Sequence, residues 1–397
     1  MESLLILLGA GLSFYLIYPF ITVIVGTIMP KQGLRKSLRE TDFGIIITAY
    51  KDIRITRSLV KSLLAQEYNN YKIYIVADQC GQESLGIEDD NLHILNPIPL
   101  NSKVRSMKFA TENFQRKHEH VIVFDPDNSV SHDFLKIMNS YILNGFKAVQ
   151  GKRVAGNLNS TVACLDAASE IYHNWVERFL PFKMGSSSTI AGSGMSIEAD
   201  LFEAHFNFEP IRENFDGVIA GEDKLMHSFL VSEGVRIAFA NEAEIKDEKI
   251  SSTQQIRKQR NRWIRSYFEN IKFGMGIILQ GIKSLDSSKI IFGFNSIYPP
   301  LFILVLSSLF ILPFALIFNL SAFLMLFASM VIFVLNFALV LLLEGADRRI
   351  WISLVSIPKF ILNQIIALSQ IRRSKKEFLV TEKTQVLDIE DVVLENQ

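Results

Sequence analysis

Hydrophobic and polar residues fall along the chain in three regimes. Leu4 to Met29 is nearly free of charge and long enough to cross a bilayer, even with Pro19 inside it. From Phe43 to Ala240 short apolar runs alternate with helix-patterned stretches. FGIIITAY (43–50), KIYIVAD (72–78), NLHIL (91–95), HVIVFD (120–125) and a run near Lys147 to Gln150 read as strands. Ile55–Gln66, Lys103–Arg116 and Asp133–Leu143 read as helices. Apolar strands alternating with helices predict a mainly parallel α/β sheet covered on both faces. Beyond Asn270 the pattern turns apolar again. IKFGMGIIL (271–279) is too short to span and is expected at the interface, whereas Ile297–Phe318 and Leu320–Leu343 predict two spans with a tight turn near Asn319. Ile350–Ser369 carries Pro358, Lys359, Asn363 and Gln364 and is expected to lie in the interface, a fourth span being the alternative.

Charge fixes the expected topology. No basic region precedes the first apolar run and no small-residue cleavage site ends it, which argues against a signal peptide. Lys31, Arg35, Lys36 and Arg39 follow that run, Arg348 and Arg349 precede the interfacial segment, and Arg372, Arg373, Lys375 and Lys376 follow it. Basic clusters stay in the cytoplasm. Three spans with the N-terminus outside and the C-terminus inside satisfy all of them and leave the central α/β part cytosolic. An integral protein of a bacterial plasma membrane is expected. The net charge of zero gives no argument for nucleic acid as a partner. Cys80 and Cys164 form neither a disulfide framework nor a zinc spacing, as in a reducing compartment.

The candidate chemistry clusters in four places. Asp78 closes the second strand, where a turn or cap role is the plain reading. Asp125-Pro126-Asp127 closes the fourth, and two carboxylates one residue apart suit Mg²⁺ or Mn²⁺ completed by substrate phosphates and water. TIAGSGMSI (189–197) is a small-residue turn that lets backbone approach a ligand closely. Glu222-Asp223 opens a predicted helix, either as a favourable interaction with the helix dipole or as a general base. His227 in the same helix is read as structural. Lastly, QQIRKQRNRWIRSY (254–267) follows the cap candidates Ser251, Ser252 and Thr253. Gln259, Arg262 and Trp263 share one face of this helix, where a guanidinium can fork onto phosphate and an indole can stack on a ring. A basic amphipathic helix on anionic lipid heads is the alternative.

ITAYKD (47–52), VADQC (76–80), DPD (125–127), GSGM (192–195), GED (221–223) and Gln259-x-x-Arg262-Trp263, in that order, resemble family 2 glycosyltransferases. The likeness is to the membrane-embedded branch with cellulose, chitin and hyaluronan synthases and ceramide glucosyltransferases, and LVTEKT (379–384) is similar to a tail motif of that branch. The resemblance implies a GT-A fold and inverting, metal-assisted transfer from a nucleotide-diphosphate sugar, with a UDP-sugar expected. It implies Asp78 at the nucleotide base, Asp125 near ribose and metal, Asp127 as metal ligand and Lys103 near the diphosphate. Asp223 is implied as the base with Glu222 supporting it. Gln259 and Arg262 are implied at the diphosphate, and Trp263 with the Gly192-Ser193-Gly194 turn at the acceptor. Thr48 and Lys51 depart from the family's usual Pro and Asn, and Gly221 from a common Thr. The expected domains are an anchor (1–30), the GT-A domain (40–270), an interfacial helix with two spans (271–345), an interfacial helix with a basic tail motif (346–385) and a mobile acidic tail (386–397). The expected acceptor is a lipid, oligosaccharide or polysaccharide at the cytosolic membrane face. A processive synthase that secretes its product and a non-catalytic membrane scaffold are the alternatives. Three spans give little material for a pore, though an oligomer could build one.

Overall fold

The computed structural model describes residues 2–30, 33, 39–81, 84–217, 219, 221–250, 253–359 and 361, without the side chains at 253–258. The expectations for the basic residues 31, 35 and 36, the caps at 251 and 252, most of the 350–369 segment and everything after it lie outside the described residues. The sheet has eight strands: β1 Phe43–Tyr50, β2 Tyr71–Asp78, β3 Leu92–Leu95, β4 His120–Phe124, β5 Asn128–Val130, β6 Ala148–Ala155, β7 Met195–Glu198 and β8 Ile237–Asp247. Their order is β3-β2-β1-β4-β7-β6-β8-β5. The first half is parallel, as the alternation of runs and helices predicts. The second half is mixed, because β7 runs antiparallel between β4 and β6, and β5 antiparallel on β8. The register sets Tyr50 opposite Asp78 and Ile47 opposite Phe124. The carboxyl ends of β1, β2 and β4 therefore emerge side by side, where open α/β sheets bind ligands.

Successive side chains of a strand point to opposite faces, and both faces here are dry. Ile45 and Ile47 pack into one core with Ile73, Ile75, Phe124 and Phe134. Ile46 packs into the other with Val76, Val123, Met107 and Leu230. This double burial is why the strands read as unbroken apolar runs. The helices that cover the sheet and leave it are α1 Glu2–Ile28, α2 Arg57–Leu64, α3 Lys103–Glu112, α4 Phe134–Leu143 and α5 Thr161–His173, which runs on into a π-helical turn at Asn174–Phe179. After it come the short α6 Leu180–Lys183, α7 Ala199–Ala204 and α8 Glu209–Glu213, then α9 Glu222–Ser232, α10 Thr253–Ser284, α11 Ser287–Ser296, α12 Leu301–Phe318, α13 Leu320–Leu343 and α14 Arg348–Ser353.

Three of these, α1, α12 and α13, are long and apolar enough to cross a membrane. The turn between the last two is capped by Asn319, whose side chain accepts the Ala322 N–H. These helices share a core with the α/β layer, since Leu16, Leu304, Leu326 and Phe333 pack with Tyr172, Val176 and Leu180. At the end of α13, Glu344 accepts from Lys152 Nζ of β6 and from the indole N–H of Trp175.

The segment at 271–279 is not a separate element. It continues α10, which runs 32 residues unbroken across position 270. One side of this stretch is held in the domain core by Ile277, which is 2 % exposed. Gly274 and Gly293 allow α10 and α11 to close on each other, and a Cβ on Gly293 would sit 2.9 Å from the Gly274 carbonyl. Phe268, Met275, Leu279 and Ile282 stay exposed. Spaced seven, four and three apart, they form one apolar stripe, as an interfacial helix requires.

Candidate active site

The site begins at the carboxyl ends of β1 and β2. Asp78 is buried, and its two carboxylate oxygens accept the backbone N–H groups of Leu100 (3.0 Å) and Asn101 (2.7 Å). It thus pins the loop entering α3, which combines the plain turn-forming reading with a place in the cavity wall. The Asn101 side-chain oxygen accepts from Tyr50 and Gln79. Lys51, Gln79 and Asn101 all have left-handed backbone, with φ of 67°, 58° and 52°. Asn takes this conformation readily, but Lys51 and Gln79 do so at a cost, and backbone strain of this kind concentrates at ligand sites.

Ser102 caps α3 by accepting the Arg105 N–H, which places Lys103 in the first turn. Its ammonium donates to Asp125 Oδ1 (2.6 Å) and to the Gly192 carbonyl (2.8 Å), and lies 3.7 Å from Glu222 Oε1. Burial works against this charge, but Asp125 and Glu222 outweigh it and hold the Lys103 pKa above its ordinary value. One cation thereby ties the DPD turn, the GSG turn and the start of α9 together.

The GSG turn is built to support its neighbour. Ser193 is fully buried; its Oγ accepts the Asp125 N–H (2.9 Å) and donates to Asn128. Gln150 grips the same turn through the Ser193 carbonyl and the Ala191 N–H. Gly194 has φ +64°, and a Cβ there would meet Ile245 at 2.3 Å. Of the three residues of this turn assigned to the acceptor, Gly192 alone borders the cavity. Ser193 is fully buried with its hydroxyl turned to Asp125 and Asn128, and Gly194 packs against Ile245, so both belong to the turn's own framework.

Glu222 and Asp223 occupy the first turn of α9, after Gly221 at φ +73°. A Cβ on Gly221 would fall 2.0 Å from Ser266 Oγ of α10, so the departure from Thr follows from how closely these helices meet. Burial pushes the Glu222 carboxyl up, Lys103 opposes that and Asp223 adds to it. His227 is buried and accepts the Ile190 N–H on Nδ1; burial lowers its pKa to about 4, so it is a neutral framework imidazole. Across the cavity α10 presents Gln259, Arg262 and Trp263. Gln259 Oε1 is buried and has no hydrogen-bond partner among the described residues. Arg262 is exposed, and the Trp263 ring carries the Arg260 guanidinium 4.6 Å from its centroid. All of Asp78, Lys103, Asp125, Asp127, Gly192, Glu222, Asp223, Gln259, Arg262 and Trp263 line one cavity of about 1120 Å³.

Residues 41–266 match the family described as glycosyltransferase like family 2. The chain belongs to that family. The mannosyltransferase PcManGT from Pyrobaculum calidifontis, solved with GDP-Man and Mn²⁺, superposes with a TM-score of 0.56 at 11% identity, covering 93% of this chain and 99% of that one. The glycosyltransferase therefore has the GT-A fold. S. aureus TarS gives a TM-score of 0.39 at 13% identity over 64% of this chain and 55% of that one, and its 1–349 fragment with UDP-GlcNAc gives 0.39 at 13% over 65% and 90%. No curated protein matches the chain.

Among the described residues of the glycosyltransferase no group of three or more His, Cys, Asp or Glu is arranged to hold a metal ion. Asp125 and Asp127 supply two hard-oxygen groups on one short turn facing the cavity. That donor set fits Mg²⁺ or Mn²⁺ arriving with a diphosphate, because such ions are commonly held by one or two carboxylates plus substrate phosphates and water.

Sequence reading missed one layer of the site. In the cavity wall Lys249, 3 % exposed, lies between Asp247 (3.1 Å), Glu170 (3.3 Å) and Asp166 (3.8 Å). Arg153 pairs with Asp247, Arg178 with Glu170 and Arg260 with Asp166. Asp166, Glu170, Asn174 and Arg178 recur every four residues, a helix-face signal that was there to be read. Through Asp166 and Arg260 this layer fastens α10, and with it Gln259, Arg262 and Trp263, onto α5.

Proposed function

We propose that the protein is an inverting glycosyltransferase that moves a sugar from a nucleoside-diphosphate donor, a UDP-sugar in the first instance, to a hydroxyl at the cytosolic face of a membrane. What supports the reading is the convergence of the DPD turn, Glu222-Asp223 and Gln259-x-x-Arg262-Trp263 on one cavity. Asp78 and the loop it pins would frame the nucleoside, with Lys103 and Arg262 at the diphosphate, Gln259 beside them, and Trp263 and Gly192 at the acceptor. Asp223 takes the proton of the incoming hydroxyl as its oxygen bonds the anomeric carbon and the bond to the diphosphate breaks. A divalent ion held by Asp125 and Asp127 would neutralise charge on the leaving diphosphate. The basic residues beside the apolar runs support the cytosolic placement.

A panel of radiolabelled sugar nucleotides, offered to membranes carrying the protein and followed by nucleoside-diphosphate release, tests the reading. Loss of release in Asp223→Asn is expected, and no release from any donor by wild type would refute it. In the same assay Asp127→Asn should lose stimulation by Mn²⁺ or Mg²⁺ while the protein still inserts and folds. Full metal-independent turnover by that variant would remove Asp127 from the metal.

Arg262 has a separate expectation, because it is assigned to the donor. Calorimetric titration of UDP with Mn²⁺ into Arg262→Ala should show affinity weakened by about 1.5–3 kcal/mol, the worth of one charge-assisted hydrogen bond. Arg262→Lys should recover only part, since an ammonium cannot fork onto two phosphate oxygens. Unchanged binding in Arg262→Ala would move the residue away from the diphosphate.

A further inference from the structure

The cavity does not end at the carboxylates. It continues from Glu222 and Asp223 past Lys224 and Tyr267 to the start of α12, and then between the two apolar helices, where Leu301, Phe302, Val305, Phe333, Val334 and Phe337 line it. The junction is physically tight. The Lys224 ammonium sits 5.3 Å from the centre of the Tyr267 ring, and the Tyr267 hydroxyl donates to the Ile297 carbonyl (2.8 Å), in the turn that leads into α12. On the other side of that turn Tyr298 donates to the Tyr15 carbonyl of α1. The wall between the two helices is apolar throughout, part aliphatic and part phenyl, and each sugar hydroxyl placed against it would lose its hydrogen bonds to water. A hydrocarbon chain gains from it at every methylene.

We infer that the acceptor is a membrane lipid carrying a free hydroxyl, drawn from the bilayer so that its chain lies in the groove between α12 and α13 and its hydroxyl reaches Asp223. This rests on the proposed transferase reading and adds the acceptor class to it. The charges at this end favour an uncharged head over a lipid phosphate. Arg153, Arg178, Lys249 and Arg260, which all line the cavity, share the three carboxylates Asp247, Glu170 and Asp166, each cation in ion-pair contact with at least one. Burial lowers the Lys224 pKa, with Asp223 and Glu177 opposing it. A hydroxyl also needs a general base, which a phosphate oxygen, already ionised at neutral pH, does not. The exposed stripe of Phe268, Met275, Leu279 and Ile282 on α10 lays the site against the bilayer surface from which such a lipid comes.

The test uses the full chain in proteoliposomes with radiolabelled UDP-glucose, UDP-GlcNAc and GDP-mannose. The acceptor probes are dioleoylglycerol and N-oleoylsphingosine, each beside its short-chain counterpart. Label should pass into the organic phase with a long-chain probe. Ala338 also lines the groove, on α13, and Ala338→Trp fills it. This variant should lower transfer to the long-chain acceptor about tenfold, roughly what losing the burial of two methylenes amounts to, and narrow the gap between long and short chains. Val334→Trp, on the same wall, gives a second reading should Ala338→Trp fail to fold. Label confined to a soluble glycan, or equal losses with long and short chains in both variants, would overturn the inference while leaving the transferase reading intact. No nucleoside-diphosphate release from any donor, with any acceptor, would instead defeat that underlying reading.

Discussion

Asp223→Asn should lower turnover by about 10²–10⁴-fold, the usual cost of removing a general base, while nucleoside diphosphate still binds. The reason lies in where the residue stands. Asp223 follows Glu222 in the first turn of α9, but only Glu222 has Lys103 within ion-pair distance, at 3.7 Å, and through Lys103 it joins the cation that holds Asp125. Among the described residues the Asp223 carboxylate accepts only the N–H of its own neighbour, Lys224, and its Cβ lies close to Gly192, the one glycine of the GSG turn that borders the cavity. Amidation removes a like charge beside Glu222 and the least of the charges acting on Lys103, but among the described residues it breaks no hydrogen bond or ion pair at the donor end. Glu222→Gln is the informative companion. It alters the partner of Lys103, so it should weaken donor binding and turnover together. Rates and UDP titrations on both variants decide between the roles. Were Asp223→Asn to abolish UDP binding while Glu222→Gln spared it, the two carboxylates would have to exchange assignments.

The parts of the site that sequence disclosed share a property: their meaning is local. Asp125 and Asp127 are two residues apart and Glu222 and Asp223 adjacent, so each pair must arrive at one place in the fold, and Gln259, Arg262 and Trp263 at i, i+3 and i+4 must share a helix face whatever the rest of the chain does. Strands β1, β2 and β4 were legible for a related reason, being buried on both faces and hence unbroken apolar runs. β5 and β7, of three and four residues, carry too few positions to show a period, and their antiparallel pairing is set by partners far along the chain. Ser193 shows the opposite failure. A serine between two glycines suggests a ligand contact, yet what it holds is the Asp125 N–H, 68 residues away. The charged layer in the cavity wall was missed because the pairs that tie its segments together join distant positions. Asp166 meets Arg260 across 94 residues and Glu170 meets Lys249 across 79.

That layer carries the second large expectation, which concerns stability. Lys249→Met should destabilise the protein at neutral pH by roughly 3 kcal/mol, the lower end of the cost of breaking a buried ion pair. The lower end applies because each carboxylate facing Lys249 keeps a guanidinium: Asp247 keeps Arg153, Glu170 keeps Arg178 and Asp166 keeps Arg260. Burial alone would raise the Glu170 pKa, but Lys249, Arg153 and Arg178 together hold it well below 4.5. A carboxyl depressed in the folded state stabilises the protein above its unfolded pKa, and that contribution fades as pH falls through the folded value. Removing Lys249 lets the Glu170 pKa rise. The variant should then lose stability at a higher pH than wild type on the acid side, and the difference between the two should be largest near neutrality and shrink below about pH 4, the ordinary range of a Glu carboxyl. Thermal unfolding followed by tryptophan fluorescence across that pH range measures this. A deficit that stays constant with pH would mean that Lys249 acts by packing and not by charge. Turnover adds a second readout, since Asp166 also holds Arg260 and through it the helix bearing Arg262. Asp166→Asn should loosen UDP binding more than Lys249→Met does at equal loss of stability, because it acts on the fastening of α10 itself.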